Sequence, residues 1–274
     1  MRINQNVMAA NASRNLANTN IQLGKSLEKL SSGFRINRAA DDAAGLVISQ
    51  GLRAQISGLK QATRNAQDGI SVVQTAEGAL TEVHSMLGRM RDLAVQAQNT
   101  GSMDGDAVAA AQLEVDQLIL EIDRVATSTK FGSTPLLSGY TKEFQVGANA
   151  GEQITLTVAN MGTGALELDL DKVKLVADDL SAPLGAAITA IDSAIKEVST
   201  ERGKLGAMQN RFESTINNLQ VTVENLSASE SRIRDTDMAA EMVTFTKNNV
   251  LLQAGTAMLA QANQVPQSIL SLLR

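Results

Sequence analysis

The sequence predicts a mainly α protein: a long antiparallel helical bundle or coiled coil built from both termini, with a small β-hairpin region in the middle. Three observations predict this fold class. Apolar residues recur in steps of three, four and seven at both ends, no proline precedes Pro135, and aromatic residues make up 2% of a chain that is 43% hydrophobic. Ala, Leu, Val, Ile and Met in such spacing suit helix–helix interfaces.

The first helix carries one apolar stripe and has a clear stop. The stripe comprises Leu16, Leu23, Leu27 and Leu30. Gly33 follows two serines and tolerates the left-handed conformation that commonly ends a helix. Asp41 and Asp42 then supply an N-cap for a second helix. That helix should run from Ala43 to about Asn99 and carries two overlapping apolar stripes, so it can face two neighbours.

Five glycines interrupt the second helix, and each costs about 1 kcal/mol relative to alanine in a helix interior. They are Gly51, Gly58, Gly69, Gly78 and Gly88. One interpretation is close approach by a neighbouring helix or subunit, and the other is a merely weak or curved helix. The sequence leaves both open.

The middle of the chain changes character. A third helix is predicted from about Gly105 to Thr129, and residues 132–139, which contain Pro135, end the helical run. Alternation of apolar residues with threonine over residues 154–158 indicates a strand, which should pair with residues 144–146 in a β-hairpin. Leu166, Leu168 and Leu170 also alternate with other residues and suggest a further short strand.

After Pro183 the pattern is helical again to the end of the chain. Its last part carries a second candidate stripe for self-assembly, made of Met242, Phe245, Leu252 and Leu259.

Composition excludes several classes of function. No cysteine is present, so disulfides and thiolate metal sites are excluded. The net charge of -5 is mild and the basic residues are scattered, which disfavours nucleic-acid binding. No apolar run is long enough for a transmembrane helix, and the N-terminus lacks the apolar segment of a cleaved signal peptide. His84 is the only histidine, and no catalytic, cofactor or metal motif appears, so we expect no enzyme.

Both terminal helices need a partner because an isolated amphipathic helix gains little stability by itself. The simplest arrangement pairs the N-terminal helix with the C-terminal one, and the remaining apolar faces would then contact other copies of the chain. An open heterologous contact yields a helical filament. A closed oligomer and a membrane-surface helix are the alternatives, and the scattered lysines and arginines disfavour the second. We expect the two ends to be poorly ordered in the free monomer.

Several long motifs in both helical ends resemble those of bacterial flagellins. In the N-terminal half they are residues 27–37 (LEKLSSGFRIN), 40–46 (ADDAAGL), 65–71 (NAQDGIS) and 74–80 (QTAEGAL). In the C-terminal half they are residues 228–238 (ASESRIRDTDM) and 258–264 (MLAQANQ). The resemblance implies a structural subunit that polymerises into the extracellular flagellar filament for swimming motility. Because the middle is short, it also implies a minimal form without large outer domains. The resemblance implies two domains: residues 1–43 and 236–274 form the coiled-coil domain of the filament core, and residues 44–185 and 186–235 form a second domain of inner helices with the hairpin.

The resemblance further implies a set of partners. Besides other copies of itself, these are an export chaperone, the flagellar secretion apparatus, the filament cap and the hook-junction proteins. Export through that apparatus would need no cleaved signal peptide. Some flagellins are bound by a host innate immune receptor, and Arg89, Leu93 and Glu114 fall at the matching positions. Gly88 and Asp92 depart from the residues common there, and without the resemblance Leu93 would be read as a packing residue and Arg89 as a solvated charge.

Two rival interpretations remain at the level of sequence. A hook–filament junction protein shares terminal similarity with the filament subunit, although the nearly complete motifs at both ends favour the latter. A secreted helical effector or adhesin, acting as a monomer on host surfaces, belongs to a different functional class.

Overall fold

A computed structural model describes residues 6–99, 104–166, 173–175 and 184–272, and it confirms a mainly α fold with a small antiparallel β region. The helices are α1 (Val7–Ser32), α2 (Ala43–Ala97), α3 (Gly105–Ser128), α4 (Leu184–Arg234) and α5 (Met238–Leu272). The strands are β1 (Lys130–Phe131), β2 (Thr134–Pro135), β3 (Ser138–Gln145) and β4 (Gln153–Asn160). β1 pairs with β2, and β3 with β4, both antiparallel.

The chain divides into two compact units. Unit 1 consists of Met1–Gln55 and Glu224–Arg274, and unit 2 consists of Ile56–Val223. Unit 1 therefore contains α1 and α5, and unit 2 contains α3 and all four strands. The long helices α2 and α4 contribute residues to both units.

Local hydrogen bonds explain where the helices begin and end. The Asn6 carboxamide oxygen accepts the Ala9 amide at 3.0 Å at the start of α1. At its end, Gly33 adopts a φ of 75° and donates its amide to the Lys29 carbonyl. Asp42 accepts the Gly45 amide at 2.9 Å at the start of α2. The predicted stop at Gly33 and the predicted cap at Asp42 are thus confirmed.

Unit 2 encloses a continuous hydrophobic core between α2, α3, α4 and the hairpin. Both predicted apolar stripes of α2 are buried in this core. Val73 and Leu80 of the first stripe and Val83 and Met90 of the second are fully buried. A helix with two apolar faces can hold neighbours on both sides. The core of unit 2 is therefore complete within one copy of the chain.

The β3–β4 hairpin covers part of this core with the predicted alternation. Ile154, Leu156 and Val158 are buried while the two threonines between them are exposed. Phe144 pairs opposite Ile154 in the antiparallel register. Leu168 and Leu170, proposed for a further strand, lie outside the described residues, and Leu166 is buried in a turn.

Two polar contacts and one aromatic contact attach the hairpin to the helices. Glu201 of α4 is 3% exposed and accepts the Ala159 amide at 3.0 Å. The Asn65 side chain donates to the Gln145 carbonyl at 2.9 Å. Phe144 meets the buried ring of Phe212 edge-to-face, with centroids 5.7 Å apart.

Close approach accounts for some of the α2 glycines. A Cβ on Gly69 would lie 2.9 Å from the Phe212 ring, so a side chain there would displace the ring. Gly58 similarly faces Ala148. At Gly51, Gly78 and Gly88 a Cβ would meet no atom within 4 Å, so packing within the described chain does not require glycine at these positions.

Candidate assembly surfaces

In unit 1, α1 packs antiparallel against α5. Three contacts along the pair define the alignment. The Asn6 side chain donates to the Ala262 carbonyl at 2.8 Å, and Lys29 lies 3.9 Å from the Glu241 carboxylate near the other end. Between them, Leu16 Cδ1 lies 3.0 Å from the point where a Gly255 Cβ would be.

The α1–α5 interface is a heptad pattern in which each large residue faces a smaller or polar one. Counting both ways from the Leu16–Gly255 contact gives five layers: Ala12–Leu259, Leu16–Gly255, Thr19–Leu252, Leu23–Asn248 and Ser26–Phe245. All ten residues are buried or half-buried. Ser26 and Asn248 are each only 4% exposed, so polar groups form part of the interface.

The eight residues proposed for self-assembly fall on different surfaces. Six lie on the faces that α1 and α5 turn toward each other: Leu16, Leu23, Leu30, Phe245, Leu252 and Leu259. Leu27 and Met242 do not, since they are 59% and 50% exposed. They lie beside those faces at exposed positions next to Ser26 and Glu241, so a role in self-assembly would be a contact with another subunit.

The sides of α1 and α5 that face away from this interface are also apolar. On α5, Val243 is 70% exposed and Val250 is 58% exposed. A shallow groove of about 550 Å³ runs over Met242, Val243, Thr246, Lys247, Val250 and Leu251, which we call the outer face of α5. On α1, Met8 and Ile21 are 69% and 61% exposed. Apolar surface of this extent commonly marks an interaction site.

A short β-bridge joins the end of α1 to the segment between α4 and α5. We call residues 33–35 and 233–236 the Phe34 bridge, because Phe34 pairs with Asp235 at its centre. The Arg35 amide donates to the Arg234 carbonyl at 2.6 Å, and the Thr236 amide donates to the Gly33 carbonyl at 2.9 Å. Two backbone hydrogen bonds thus fix these segments against each other.

Charged side chains surround the ring of Phe34. The Arg234 guanidinium lies 4.5 Å from the ring centroid, and that of Arg53 lies 5.7 Å away. Both distances are within the range of cation–π attraction. Arg53 also pairs with Glu230 at 3.3 Å, so the Phe34 bridge is held by side chains as well as by backbone.

The three residues proposed for receptor contact do not share one surface. Arg89 of α2 and Glu114 of α3 form a two-pronged ion pair, with contacts of 2.6 and 3.1 Å, and both side chains are about half-exposed. Hydrogen bonding from Arg89 lowers the pKa of Glu114, and hydrogen bonding to Glu114 raises the pKa of Arg89. Leu93 is only 3% exposed and belongs to the unit 2 core, so it offers little surface to a partner.

The described residues show helix surfaces rather than a reaction centre. Within these residues, no group of three histidine, cysteine or acidic side chains is placed to hold a metal ion. The lone His84 is half-buried on α2. None of the helices in the described part of the chain combines the length and apolar character needed to cross a membrane.

Paired terminal helices with apolar outer faces are typical of a structural protein that associates through its helices. Comparison with known proteins gives the family. Residues 3–142 match the bacterial flagellin N-terminal helical region, and residues 188–273 match the bacterial flagellin C-terminal helical region. The chain belongs to the bacterial flagellins. It is a structural subunit of the extracellular flagellar filament, and it is not an enzyme.

Individual relatives agree with this assignment. The chain is 54% identical to a flagellin of Halalkalibacterium halodurans and 46% identical to the flagellar filament 33 kDa core protein of Treponema phagedenis, each over 100% of both chains. A putative flagellar hook-associated protein from Vibrio parahaemolyticus shares the fold, with a TM-score of 0.60. At 15% identity, over 71% of this chain and 100% of that one, it is a likeness of fold only. Full-length similarity to filament proteins favours the filament subunit over the junction and effector interpretations.

Proposed function

We propose that the outer faces of α1 and α5 are the surfaces through which the subunits polymerise. The observation that carries the proposal is the outer face of α5, where Val243, Val250 and their neighbours form an apolar groove on a helix whose other side is already occupied by α1. Burying apolar surface contributes about 25 cal/mol per Å², so many such contacts along a filament favour association. The contact would be heterologous and open, and would therefore propagate.

A single substitution tests this surface. Val243→Glu places a charge at a position that is 70% exposed in the subunit, so the subunit should keep its fold while a dry contact at that face is lost. Val243→Leu keeps the face apolar and is the matched control. We expect sedimentation to find polymer with Val243→Leu and none with Val243→Glu. Equal polymer from both variants would remove the outer face of α5 from the proposal.

The division into units supports a proposal for the domains. Unit 1 would form the coiled-coil domain at the filament core, and unit 2 would form the shell around it. The sequence placed the boundaries at residues 43, 185 and 235, whereas the units divide at Gln55–Ile56 and Val223–Glu224. We propose that the predicted 236–274 segment and α1 are the parts that enter the core. Electron cryomicroscopy of the polymer would locate both.

The same apolar surfaces suggest how the subunit is handled before it polymerises. We propose that an export chaperone covers the outer face of α5, because a groove that drives polymerisation would also drive premature association. Export through the flagellar secretion apparatus without a cleaved signal peptide, and contact with the filament cap and hook-junction proteins, belong to the same proposal. A pull-down with the matched pair Val243→Glu and Val243→Leu tests the chaperone, since only the second should retain it.

Immune-receptor contact is proposed only for the Arg89–Glu114 pair. The exposure and the fixed geometry of the pair support this proposal. Leu93 is buried, so it would act only by packing α2 into the core. Arg89→Ala should lower the response of a receptor reporter. Arg124→Ala is the matched control, since it removes another half-exposed arginine paired to a glutamate in the same unit. Equal responses from the two variants would contradict the proposal.

A further inference from the structure

The α1–α5 interface fits more than one register. In the observed register Leu16 faces Gly255. Sliding α1 by one heptad would place Leu16 opposite Asn248 in one direction and opposite Ala262 in the other. Because the large residues of each helix recur every seven positions, either slide still sets each large residue against a smaller or polar one. Shape complementarity therefore does not select the register.

The polar contacts along the interface select it only weakly. Asn6 donates to a backbone carbonyl, and a slide would bring another carbonyl of α5 to the same place. Lys29 and Glu241 are 3.9 Å apart, at the long end of the ion-pair range, so their attraction constrains the register only loosely. Neither contact would resist displacement by a whole heptad.

The Phe34 bridge cannot survive such a slide. It follows α1 directly and precedes α5 by only a few residues, and its two backbone hydrogen bonds have lengths of 2.6 and 2.9 Å. A one-heptad displacement moves α1 by about 10 Å along its axis. Both hydrogen bonds would break, and Phe34 would leave the guanidinium of Arg234.

We propose that the Phe34 bridge sets the register of α1 on α5. The bridge acts on the assembly surface through that register, since a slide would displace Ile21 and Met8 by about 10 Å along the helix axis relative to the outer face of α5 and change the spacing of the apolar residues offered to a neighbouring subunit. The consequence for polymerisation rests on the proposed function. The register itself is a property of unit 1.

Introduced cysteine pairs can measure the register, since the chain has no cysteine of its own. Leu16→Cys with Gly255→Cys reports the observed register, because Leu16 Cβ lies 4.0 Å from the Gly255 Cβ position and a disulfide needs about 3.5–4.5 Å. Leu16→Cys with Asn248→Cys, or with Ala262→Cys, reports a slide in one direction or the other. In the observed register, Asn248 and Ala262 each lie one heptad along α5 from the residue that faces Leu16, which is too far for a disulfide.

Each cysteine pair is compared with and without Phe34→Ala, in polymer grown with an excess of unmodified subunits. The unmodified neighbours have no cysteine, so a non-reducing gel shows only cross-links within one chain. Thr236→Pro is a second variant, which removes an amide donor of the bridge while keeping the ring. With the bridge intact, only the Gly255→Cys pair should cross-link. In either bridge variant that product should fall, and the Asn248→Cys or Ala262→Cys product should appear.

Two outcomes would overturn the proposal. One is that both bridge variants cross-link only through the Gly255→Cys pair, which would show that the helix interface sets its own register. The other is that a slid pair cross-links as readily with the bridge intact. Failure of the unmodified chain to polymerise would instead contradict the proposed function, whereas a polymer in which both bridge variants keep the Gly255→Cys cross-link would contradict the register proposal alone.

Discussion

Unit 2 buries its apolar side chains within one copy of the chain, whereas unit 1 leaves most of its own in solvent. Among the described residues, Ile36 is the one apolar side chain of unit 1 that is fully buried, while unit 2 has a continuous core. Most of the exposed large apolar residues, Val243 and Met8 among them, belong to unit 1. From this difference we expect unit 2 to fold on its own core and unit 1 to need contacts with neighbouring subunits.

Removing the terminal helices should reveal the largest difference between the roles of the two units. A chain without residues 1–32 and 238–274 loses the α1–α5 interface and both outer faces, so we expect no polymer. Unit 2 should melt as in the full chain because its core is untouched. Sedimentation and thermal unfolding by circular dichroism measure the two effects. Long fibres from the trimmed chain would refute the assembly role of the ends.

Truncation of a large side chain should distinguish the two units in the free subunit. Phe212 is fully buried in unit 2, so Phe212→Ala should lower the free energy of unfolding by about 3–5 kcal/mol. Leu16→Ala in the half-buried α1–α5 interface should change subunit unfolding much less and should weaken polymer instead. Urea unfolding of the subunit and the critical concentration of the polymer measure these changes. A large loss of subunit stability from Leu16→Ala would erase the distinction.

The buried Glu201 gives a smaller test of the unit 2 core. Glu201→Ala leaves the Ala159 amide without its acceptor and should cost roughly 1–3 kcal/mol of unfolding free energy. Glu201→Gln keeps a side-chain oxygen in place and serves as the control. Amide exchange at Ala159 should rise with alanine and stay close to the parent with glutamine. No rise with alanine would show that this hydrogen bond does not hold the hairpin.

The smallest expected effect is a pH dependence on the surface of unit 2. The folded-state pKa of Glu114 is lowered from its ordinary 4.5 by Arg89, so the pair stabilises the fold above that value. The contribution is lost as the pH falls through the lowered pKa. Arg89→Ala should therefore destabilise slightly at pH 7 and not at strongly acid pH. Urea unfolding at both pH values measures this, with Arg14→Ala of unit 1 as the control. An equal loss at acid pH would exclude the ion pair as the cause.

The sequence predicted the elements of both units but only part of the assembly surface. The stop at Gly33, the alternation over residues 154–158 and the two stripes of α2 are local patterns, and the structure confirms them. The apolar pattern did not separate the exposed Leu27 from the residues of the α1–α5 interface, because it steps past Ser26, which occupies the interface position. Polar and small residues in an interface are invisible to a pattern of apolar spacing.

The Phe34 bridge lay beyond sequence reasoning for a different reason. Its two strands are separated by about two hundred residues, and nothing local to Phe34 indicates a partner near Asp235. The Arg89–Glu114 contact is a second example. The family resemblance assigned both residues to one site, but no local pattern in the sequence indicates that they pair. For the Phe34 bridge, the signal available in the sequence was the motif over residues 27–37. This motif marks the segment that contains Phe34 but does not indicate its partner.

Residue-resolved hydrogen exchange, in the free subunit and in the polymer, tests the dependence of unit 1 on its neighbours most directly. We predict that amides of α1 and α5 exchange rapidly in the free subunit and become protected in the polymer. Amides in the unit 2 core, such as those of Val83 and Ile122, should be protected in both. Strong protection of α1 and α5 in the free subunit would contradict the account.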